Sequence, residues 1–153
     1  MYDRILVPID GSPTSDKGVA EAIALARLTG GRIKPLHAFE LPSAAIGSEA
    51  ALMCGEDIYD VAREAGQQVL SKAATKVKAS GVDVEQLLLE CKGNRLCVLV
   101  TEAALAWSVS LIVLGSHGRR GLQRILLGSD AEQILRTATV PVLLVRDGDS
   151  RAA

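Results

Sequence analysis

The chain has 153 residues, of which 48% are hydrophobic and 23% are charged, and this composition excludes a linker or a disordered tail. Its length is typical of one domain with a sizeable core. Seventeen basic and 18 acidic residues give a net charge of −1, which excludes a globally basic nucleic-acid-binding protein. One Trp, two Tyr and one Phe are too few aromatic residues for a protein that stacks successive single-stranded bases.

The sequence also argues against a membrane partner. No apolar run approaches the roughly 18 residues that a membrane-spanning helix needs. The first four residues lead directly into an apolar run, without the regions of a signal peptide. We therefore expect a cytoplasmic protein with no nucleic-acid and no membrane partner.

In the first half of the chain, short apolar runs alternate with longer amphipathic stretches. Asp10-Gly11-Ser12 is a turn signal, and Ser12 followed by Pro13 is typical of a helix start. Pro35 lies inside the second apolar run and has no N–H to donate, so we expect a strand with an irregular start. The predicted elements are a strand at 4–10, a helix from 12–13 to Gly30-Gly31, a strand at 32–38, a loop at 41–55 and a helix through 58–77 that ends at Gly81.

The second half continues the alternation and ends on an apolar strand. The predicted elements are a strand at 82–90, a helix at 95–107, a strand at 111–114, a loop rich in glycine and arginine, a helix at about 129–136 and a strand at 141–145. Alternating strands and helices predict an α/β fold, a five-stranded doubly wound parallel sheet with helices on both faces. We expect one domain over residues 1–147 and a flexible polar tail over 148–153.

Ligands of doubly wound sheets bind beyond the carboxyl ends of the strands, where the strand order reverses. Asp10 follows the first strand, and residues 37–39 end the second. Residues 115–121 follow the fourth strand, and their loop runs to Gly128-Ser129 at a helix start. Glycines allow close backbone approach, and a helix N-terminus offers N–H donors to an anion. This arrangement predicts a phosphate-binding loop.

The loop lacks the two common nucleotide fingerprints, Gly-x-x-x-x-Gly-Lys-Ser/Thr and Gly-x-Gly-x-x-Gly after the first strand. Its own pattern is Gly115-x-x-Gly118, nine residues, and Gly128-Ser129, which resembles the nucleotide-binding motif of the universal stress protein family. The resemblance extends along essentially the whole chain, at residues 5–12, 36–38, 126–129 and 141–145. It implies strand order 3-2-1-4-5 and a homodimer formed through the last strand, from Val140 to Val145.

The resemblance also implies residue roles. Asp10 would accept hydrogen bonds from the ribose; the alternative is a turn residue that caps local N–H groups. The backbone of Ala38 would face the adenine edge. Gly115 and Gly118 would let main-chain N–H groups meet the phosphates, or serve only as turn glycines. The nucleotide-binding set is Pro8, Asp10, Ala38, Gly115, His117, Gly118, Arg119, Gly128, Ser129 and Asp130.

Four of these residues have strong alternatives. Ser129 is either a phosphate ligand or the N-cap of the helix that follows. Arg119 complements a phosphate or belongs to a solvated basic loop, and His117 most simply lines that loop. Asp130 would repel a phosphate unless a divalent cation intervened, so we expect it to favour the helix N-terminus and point away.

Cysteine and histidine usage gives no metal or disulfide framework. Cys54, Cys91 and Cys97 are odd in number and form no Cys-x-x-Cys pair, so we expect reduced, mostly buried thiols. Two isolated histidines predict no dedicated metal site. The only metal ion that we consider is Mg²⁺ bound together with the nucleotide.

Three functions remain open on these residues. The first is a dimeric, nucleotide-responsive stress protein that binds ATP, ADP or AMP. The second is a slow ATPase or a self-phosphorylating protein using Ser116 or Ser129, although no general base beyond His117 is evident. The third is a nucleotide-independent dimeric adaptor, supported by the apolar last strand, which is expected at a sheet edge. We favour binding without catalytic residues.

Overall fold

The computed structural model describes residues 1–41, 49–116 and 128–146, and only the backbone of residues 49–56. His117, Gly118, Arg119 and the tail at 148–153 lie outside the described residues. The elements in chain order are β1 (Arg4–Pro8), α1 (Pro13–Thr29), β2 (Arg32–Phe39), α2 (Glu49–Ala79), β3 (Leu87–Glu90), α3 (Leu96–Ala106), β4 (Leu111–Gly115), α4 (Ser129–Thr137) and β5 (Val142–Val145).

The five strands form one parallel sheet of order β3-β2-β1-β4-β5, which confirms the predicted fold class and strand order. Chain order reverses between β1 and β4. The helix that follows β1, α1, packs on one face of the sheet, and the helix that follows β4 in chain order, α4, packs on the other. Such a reversal opens a crevice beyond the carboxyl ends of the two strands. The topology therefore puts the candidate site beside the ends of β1 and β4.

The helices cover both faces of the sheet, because alternate residues of each buried strand point to opposite sides. Ile5 and Val7 of β1 pack with α1 and α2 in one apolar cluster. Leu6, between them, belongs to the other cluster, with α3 and α4. Ile5, Leu6 and Val7 are all fully buried, so β1 has an apolar cluster on each face and lies at the centre of the core.

The start and end of α1 follow the sequence prediction. Ser12 is the N-cap, and its hydroxyl oxygen accepts from the Ser15 backbone N–H at 3.2 Å. Pro13 occupies the first helical position, where its missing N–H is not needed. Gly30 ends the helix with φ of +69°, a conformation that glycine adopts without a Cβ penalty.

Pro35 interrupts the sheet on one side only. Its partner in β1 is Val7, and that pairing is continuous. The Ile33 N–H donates to the Asp83 carbonyl on the β3 side. Residues two apart in a strand direct their backbone groups to the same side, so the N–H that Pro35 lacks would also have faced β3. There only an isolated bridge joins Ile33 to Val84, and regular pairing resumes at Leu36. The predicted strand at 82–90 was therefore too long.

The second helix begins earlier than its sequence prediction. Residues 49–55, predicted as part of a loop, belong to α2. The Glu-Ala-Ala-Leu-Met segment has high helix propensity, which outweighs the cost of Gly55 inside the helix. Over the described helices, no span has the length and apolar character needed to cross a bilayer.

Cys97 is buried and Cys91 half-buried, and neither forms a disulfide. The side chain of Cys54 lies outside the described part of the chain. The Cys97 thiol lies 3.5 Å from Gln133 Oε1, between α3 and α4. Cys97 therefore acts as a small packing residue, as the sequence predicts for free cysteine.

Candidate functional site

The sheet brings several predicted site residues to its carboxyl edge. Pro8 is buried and pairs with Leu36 at the end of β1. Ala38 pairs with Leu89 near the end of β2 and is half-buried. Gly115 ends β4, and the α4 N-terminus follows at Ser129. The fold thus places the described members of the predicted set around one edge.

Asp10 forms the turn between β1 and α1. The Ser12 backbone N–H donates to Asp10 Oδ1 at 2.9 Å, and Gly11 between them has φ of +79°. This geometry is the turn alternative considered for Asp10, an Asx turn that leads into the N-cap. Any role of the carboxylate toward a ligand must therefore be compatible with its role in this turn.

Gly115 lies against the first turn of α1. A Cβ at Gly115 would approach Thr14 Cγ2 to 3.0 Å and the Thr14 backbone carbon and oxygen to 3.1 Å. Gly18, one turn further along α1, faces the same strand end, since a Cβ there would lie 3.7 Å from the Gly115 nitrogen. Close approach of β4 and α1 is therefore sufficient to explain a glycine at position 115.

The α4 N-terminus has a glycine cap. Gly128 is the N-cap, and Ser129 is the first helical residue, so the N-cap interpretation of Ser129 was wrong. Gly128 has no side chain to accept from the first turn, while its own N–H donates to the Ser116 carbonyl at 2.9 Å. The N-cap residue itself therefore provides no side-chain acceptor at the positive end of the helix dipole.

Acidic side chains surround this helix end. Asp130 and Glu132 lie in the first turn of α4, and both are exposed. Glu132 Oε1 is 3.8 Å from Arg136 Nη1, one turn along the helix. Negative charge in the first turn of a helix stabilises that helix. The position of Asp130 therefore supports the expectation that this residue favours the helix N-terminus.

Ser116 links the strand end to both neighbouring elements. Its backbone N–H donates to the Val145 carbonyl at 2.8 Å, and its carbonyl accepts from Gly128. Ser116 is only 2% exposed, whereas Ser129 is exposed. Of the two serines considered as phosphoryl acceptors, Ser129 is the accessible one.

His37 is a residue of this edge that the predicted set did not include. Its Nδ1 lies 2.7 Å from the carbonyl oxygen of Ile9, directly before Asp10. The ring also packs against α2, where a Cβ at Gly66 would lie 2.9 Å from His37 Cδ2. The sequence carried only a weak signal for this contact, a histidine at the end of a strand.

A cleft of about 280 Å³ opens beside the same edge, between α1 and α2. Asp16 at its rim is held by Lys76 at 2.9 Å and lies 3.9 Å from Lys72. The cleft is on the α1 and α2 face, whereas α4 covers the other face. It is therefore a separate feature from the α4 N-terminus.

A cluster of charged groups lies at the opposite, amino edge of the sheet. Lys34 Nζ is 2.9 Å from Glu85 Oε2 and 4.3 Å from the centre of the Trp107 ring. The hydrogen bond from Lys34 lowers the pKa of Glu85, and a hydrogen bond from its own backbone lowers the pKa of Asp3. These groups join strands to α3 and lie away from the candidate site.

β5 is one edge of the sheet, and in the described residues it pairs only with β4. Val142 and Leu144 pack into the core cluster under α3 and α4, while the Leu143 side chain is 37% exposed. Within the parts of the chain that the structure describes, no group of three His, Cys, Asp or Glu side chains could hold a metal ion.

Known proteins share this fold and sequence pattern. A universal stress protein of Methanocaldococcus jannaschii is 31% identical over 148 residues, which cover 95% of this chain and 83% of that protein. A universal stress protein of Archaeoglobus fulgidus in complex with dAMP matches with a TM-score of 0.66 and 21% identity, over 94% and 98% of the two chains. A universal stress protein in complex with cAMP matches with a TM-score of 0.67 and 23% identity, over 95% and 97%.

At such identities the two structural matches show a shared fold. The family model of the universal stress proteins matches residues 1–146, nearly the whole chain. Together with the sheet order and the loop pattern at positions 115, 118, 128 and 129, this match shows that the chain belongs to the universal stress protein family.

Proposed function

We propose that this protein binds an adenine nucleotide at the carboxyl edge of the sheet and acts as a nucleotide-responsive stress module. The observation that carries the proposal is the α4 N-terminus beside the ends of β1 and β4, which has a glycine N-cap and, among the residues that the structure describes, no side-chain acceptor. An uncapped helix N-terminus at a topological switch point favours an anionic ligand. The dAMP and cAMP complexes of related folds support adenine as the base.

The proposed ligand lies across β1 with its base toward β2 and its phosphates toward α4. Ala38 would meet the adenine edge through its backbone, Asp10 would accept from the ribose, and Pro8 would line the floor. Because the chain has few aromatic residues, backbone and aliphatic contacts must hold the base. This arrangement uses the half-buried position of Ala38 and the turn position of Asp10.

The phosphate end would use the glycine-rich loop and the start of α4. Gly128 and Ser129 offer backbone N–H groups, and the Ser129 hydroxyl is exposed. His117, Gly118 and Arg119 are proposed to complete the loop. The carboxylates of Asp130 and Glu132 would repel the triphosphate of ATP. We therefore propose that Mg²⁺ arrives bound to ATP and reduces its negative charge, and we assign Mg²⁺ no separate protein site.

Calorimetry tests binding most directly. Wild-type protein, freed of any copurified nucleotide, is titrated with ATP, ADP, AMP and GTP, and we expect binding of the three adenine nucleotides and weaker binding of GTP. Gly118→Val is expected to reduce the affinity for ATP at least tenfold, since a side chain would block backbone approach. A protein that binds no adenine nucleotide, or a Gly118→Val variant equal to wild type, contradicts the proposal.

Two variants separate the ligand role of Asp10 from its turn role. Asp10→Asn keeps the oxygen that accepts from Ser12, whereas Asp10→Ala removes it. If the carboxylate binds ribose, both variants lose affinity while only Asp10→Ala loses substantial stability. An Asp10→Asn variant with wild-type affinity would leave Asp10 with the turn role alone.

We propose binding without turnover, and labelled ATP tests this part. Transfer to water would release labelled phosphate above the buffer background, which we do not expect. Transfer to the protein would need an accessible acceptor, for which Ser129 is the described candidate because Ser116 is buried. Mass spectrometry after incubation with ATP and Mg²⁺ is expected to show no phosphoserine. Phosphate on Ser129, lost in Ser129→Ala, would establish the self-phosphorylating alternative.

We further propose that two copies associate through β5. An apolar edge strand with unpaired outer backbone groups favours pairing with another strand. Leu143→Glu puts a charge on the exposed face of β5, and Leu105→Glu puts the same charge at a 64% exposed position of α3. Light scattering is expected to show monomers for Leu143→Glu and dimers for Leu105→Glu. A dimeric Leu143→Glu protein, or a monomeric wild type, contradicts this interface.

A further inference from the structure

The backbone N–H and the backbone carbonyl of Ile9 both form hydrogen bonds with β2. The Ile9 N–H donates to the Leu36 carbonyl at 2.8 Å. The Ile9 carbonyl lies 2.7 Å from His37 Nδ1, and since a carbonyl can only accept, Nδ1 must carry the hydrogen. The side chain of His37 therefore continues the strand pairing of β1 and β2 past the last backbone bond.

The α2 helix provides the space for this ring. A Cβ at Gly66 would lie 2.9 Å from His37 Cδ2 and 2.8 Å from Leu88 Cδ1. Glycine is unfavourable in a helix interior compared with alanine. The close approach of the His37 ring gives a physical reason for glycine at this position of α2.

We propose that His37 is a positioning residue for the nucleotide site. Asp10 follows Ile9 and Ala38 follows His37, so the two residues assigned to the adenosine each adjoin one end of this hydrogen bond. The bond fixes the spacing between the ribose contact and the adenine contact. Gly66 makes that spacing depend on the position of α2. This inference rests on the proposed function, because it assigns His37 to the same site.

Two substitutions of similar size separate the hydrogen bond from packing. His37→Asn retains an amide donor near the position of Nδ1, whereas His37→Leu has none. We expect His37→Leu to weaken AMP binding about tenfold, because a partly buried carbonyl loses its donor. We expect His37→Asn to stay within about threefold of wild type, with a similar thermal midpoint to His37→Leu. Equal AMP affinity of the two variants would overturn the proposal.

A steric variant tests the contribution of α2. Gly66→Ala brings a methyl group against the His37 ring. We expect it to weaken AMP binding in the protein with His37 and to have a smaller effect in the His37→Ala background, which lacks the ring atom that the methyl group would meet. The same loss in both backgrounds would show that Gly66 acts independently of His37.

Nuclear magnetic resonance of the ligand-free protein gives a readout that does not require nucleotide. The imidazole nitrogens should show hydrogen on Nδ1, and the amide signals of Asp10 and Ala38 should shift in His37→Leu and much less in His37→Asn. If the wild type binds no nucleotide, the proposed function fails, while these shifts still decide whether His37 fixes the two residues. A neutral ring with hydrogen only on Nε2 would overturn the positioning role.

Discussion

Gly115→Ala is expected to destabilise the protein through the contact between β4 and α1. The added Cβ would lie 3.0 to 3.1 Å from three Thr14 atoms, two of which are backbone atoms of the first helical turn, whereas ordinary contact begins near 3.4 Å. The backbone cannot rotate away as a side chain can. Strand and helix must therefore separate by a few tenths of an ångström. Overpacking of this kind costs about 1–3 kcal/mol.

Gly18→Ala provides the matched control at the same interface. A Cβ at Gly18 would meet its nearest atoms at 3.7 and 3.9 Å, which is ordinary van der Waals contact. Because Gly18 lies inside α1, alanine should add up to about 1 kcal/mol of helix propensity. The two substitutions add the same methyl group on opposite sides of one contact and are expected to have opposite signs.

Urea denaturation and thermal melting measure both variants. For a chain of this length, each kcal/mol corresponds to about 2–4 °C in the melting midpoint. Gly115→Ala should melt earlier than wild type and Gly18→Ala no earlier. Gly115→Ala with wild-type stability and lost nucleotide affinity would refute the packing argument, and would return Gly115 to its ligand role.

Three further outcomes follow from individual contacts. If ATP binds as proposed, Asp130→Asn should raise ATP affinity a few-fold in calorimetry by removing a negative charge from the helix end assigned to the phosphates, and should lower helix stability slightly. Ser12→Ala removes the acceptor for the Ser15 N–H and should cost about 1 kcal/mol in denaturation. The hydrogen bond from Lys34 lowers the pKa of Glu85 in the folded protein below its ordinary value of 4.5. The ionised Glu85 therefore stabilises the fold fully above that ordinary value, and this contribution is lost as the pH falls through the lower folded pKa. Glu85→Gln should therefore be less stable than wild type at pH 7 and equal to it in strong acid.

The sequence predicted the elements that local chemistry determines. Ser12, Pro13 and Gly30 define α1 through a cap, a proline at the first position and a glycine with positive φ, all properties of nearby residues. The α2 start was missed because Gly and Ser near residue 47 indicated a loop, although the Glu-Ala-Ala-Leu-Met segment that follows favours a helix. Local propensity alone does not decide whether the loop-forming Gly and Ser residues or the helix-forming segment after them sets the start of α2.

The candidate site was only partly accessible to the same reasoning. The order of strand ends located Asp10, Ala38 and Gly115 at one edge, because topology alone places carboxyl ends together. The Gly115 contact with Thr14 depends on the distance between a strand and a helix that are far apart in sequence. The His37 contact likewise depends on tertiary structure, since Ile9 is 28 residues away.

The hydrogen bonds of Ser116 connect the two surfaces proposed to bind ligand and partner. Gly128, the N-cap of α4, donates to the Ser116 carbonyl, and Ser116 donates to Val145 at the end of β5. A ligand that orders the α4 N-terminus therefore acts on Ser116, whose backbone N–H is bonded directly to the edge strand. If nucleotide binding and β5 association both occur, linkage requires that any effect of nucleotide on dimer affinity equals the effect of dimerisation on nucleotide affinity. Ser116 is buried and bonded to both elements, so its two backbone hydrogen bonds provide a direct physical connection through which such an effect would pass.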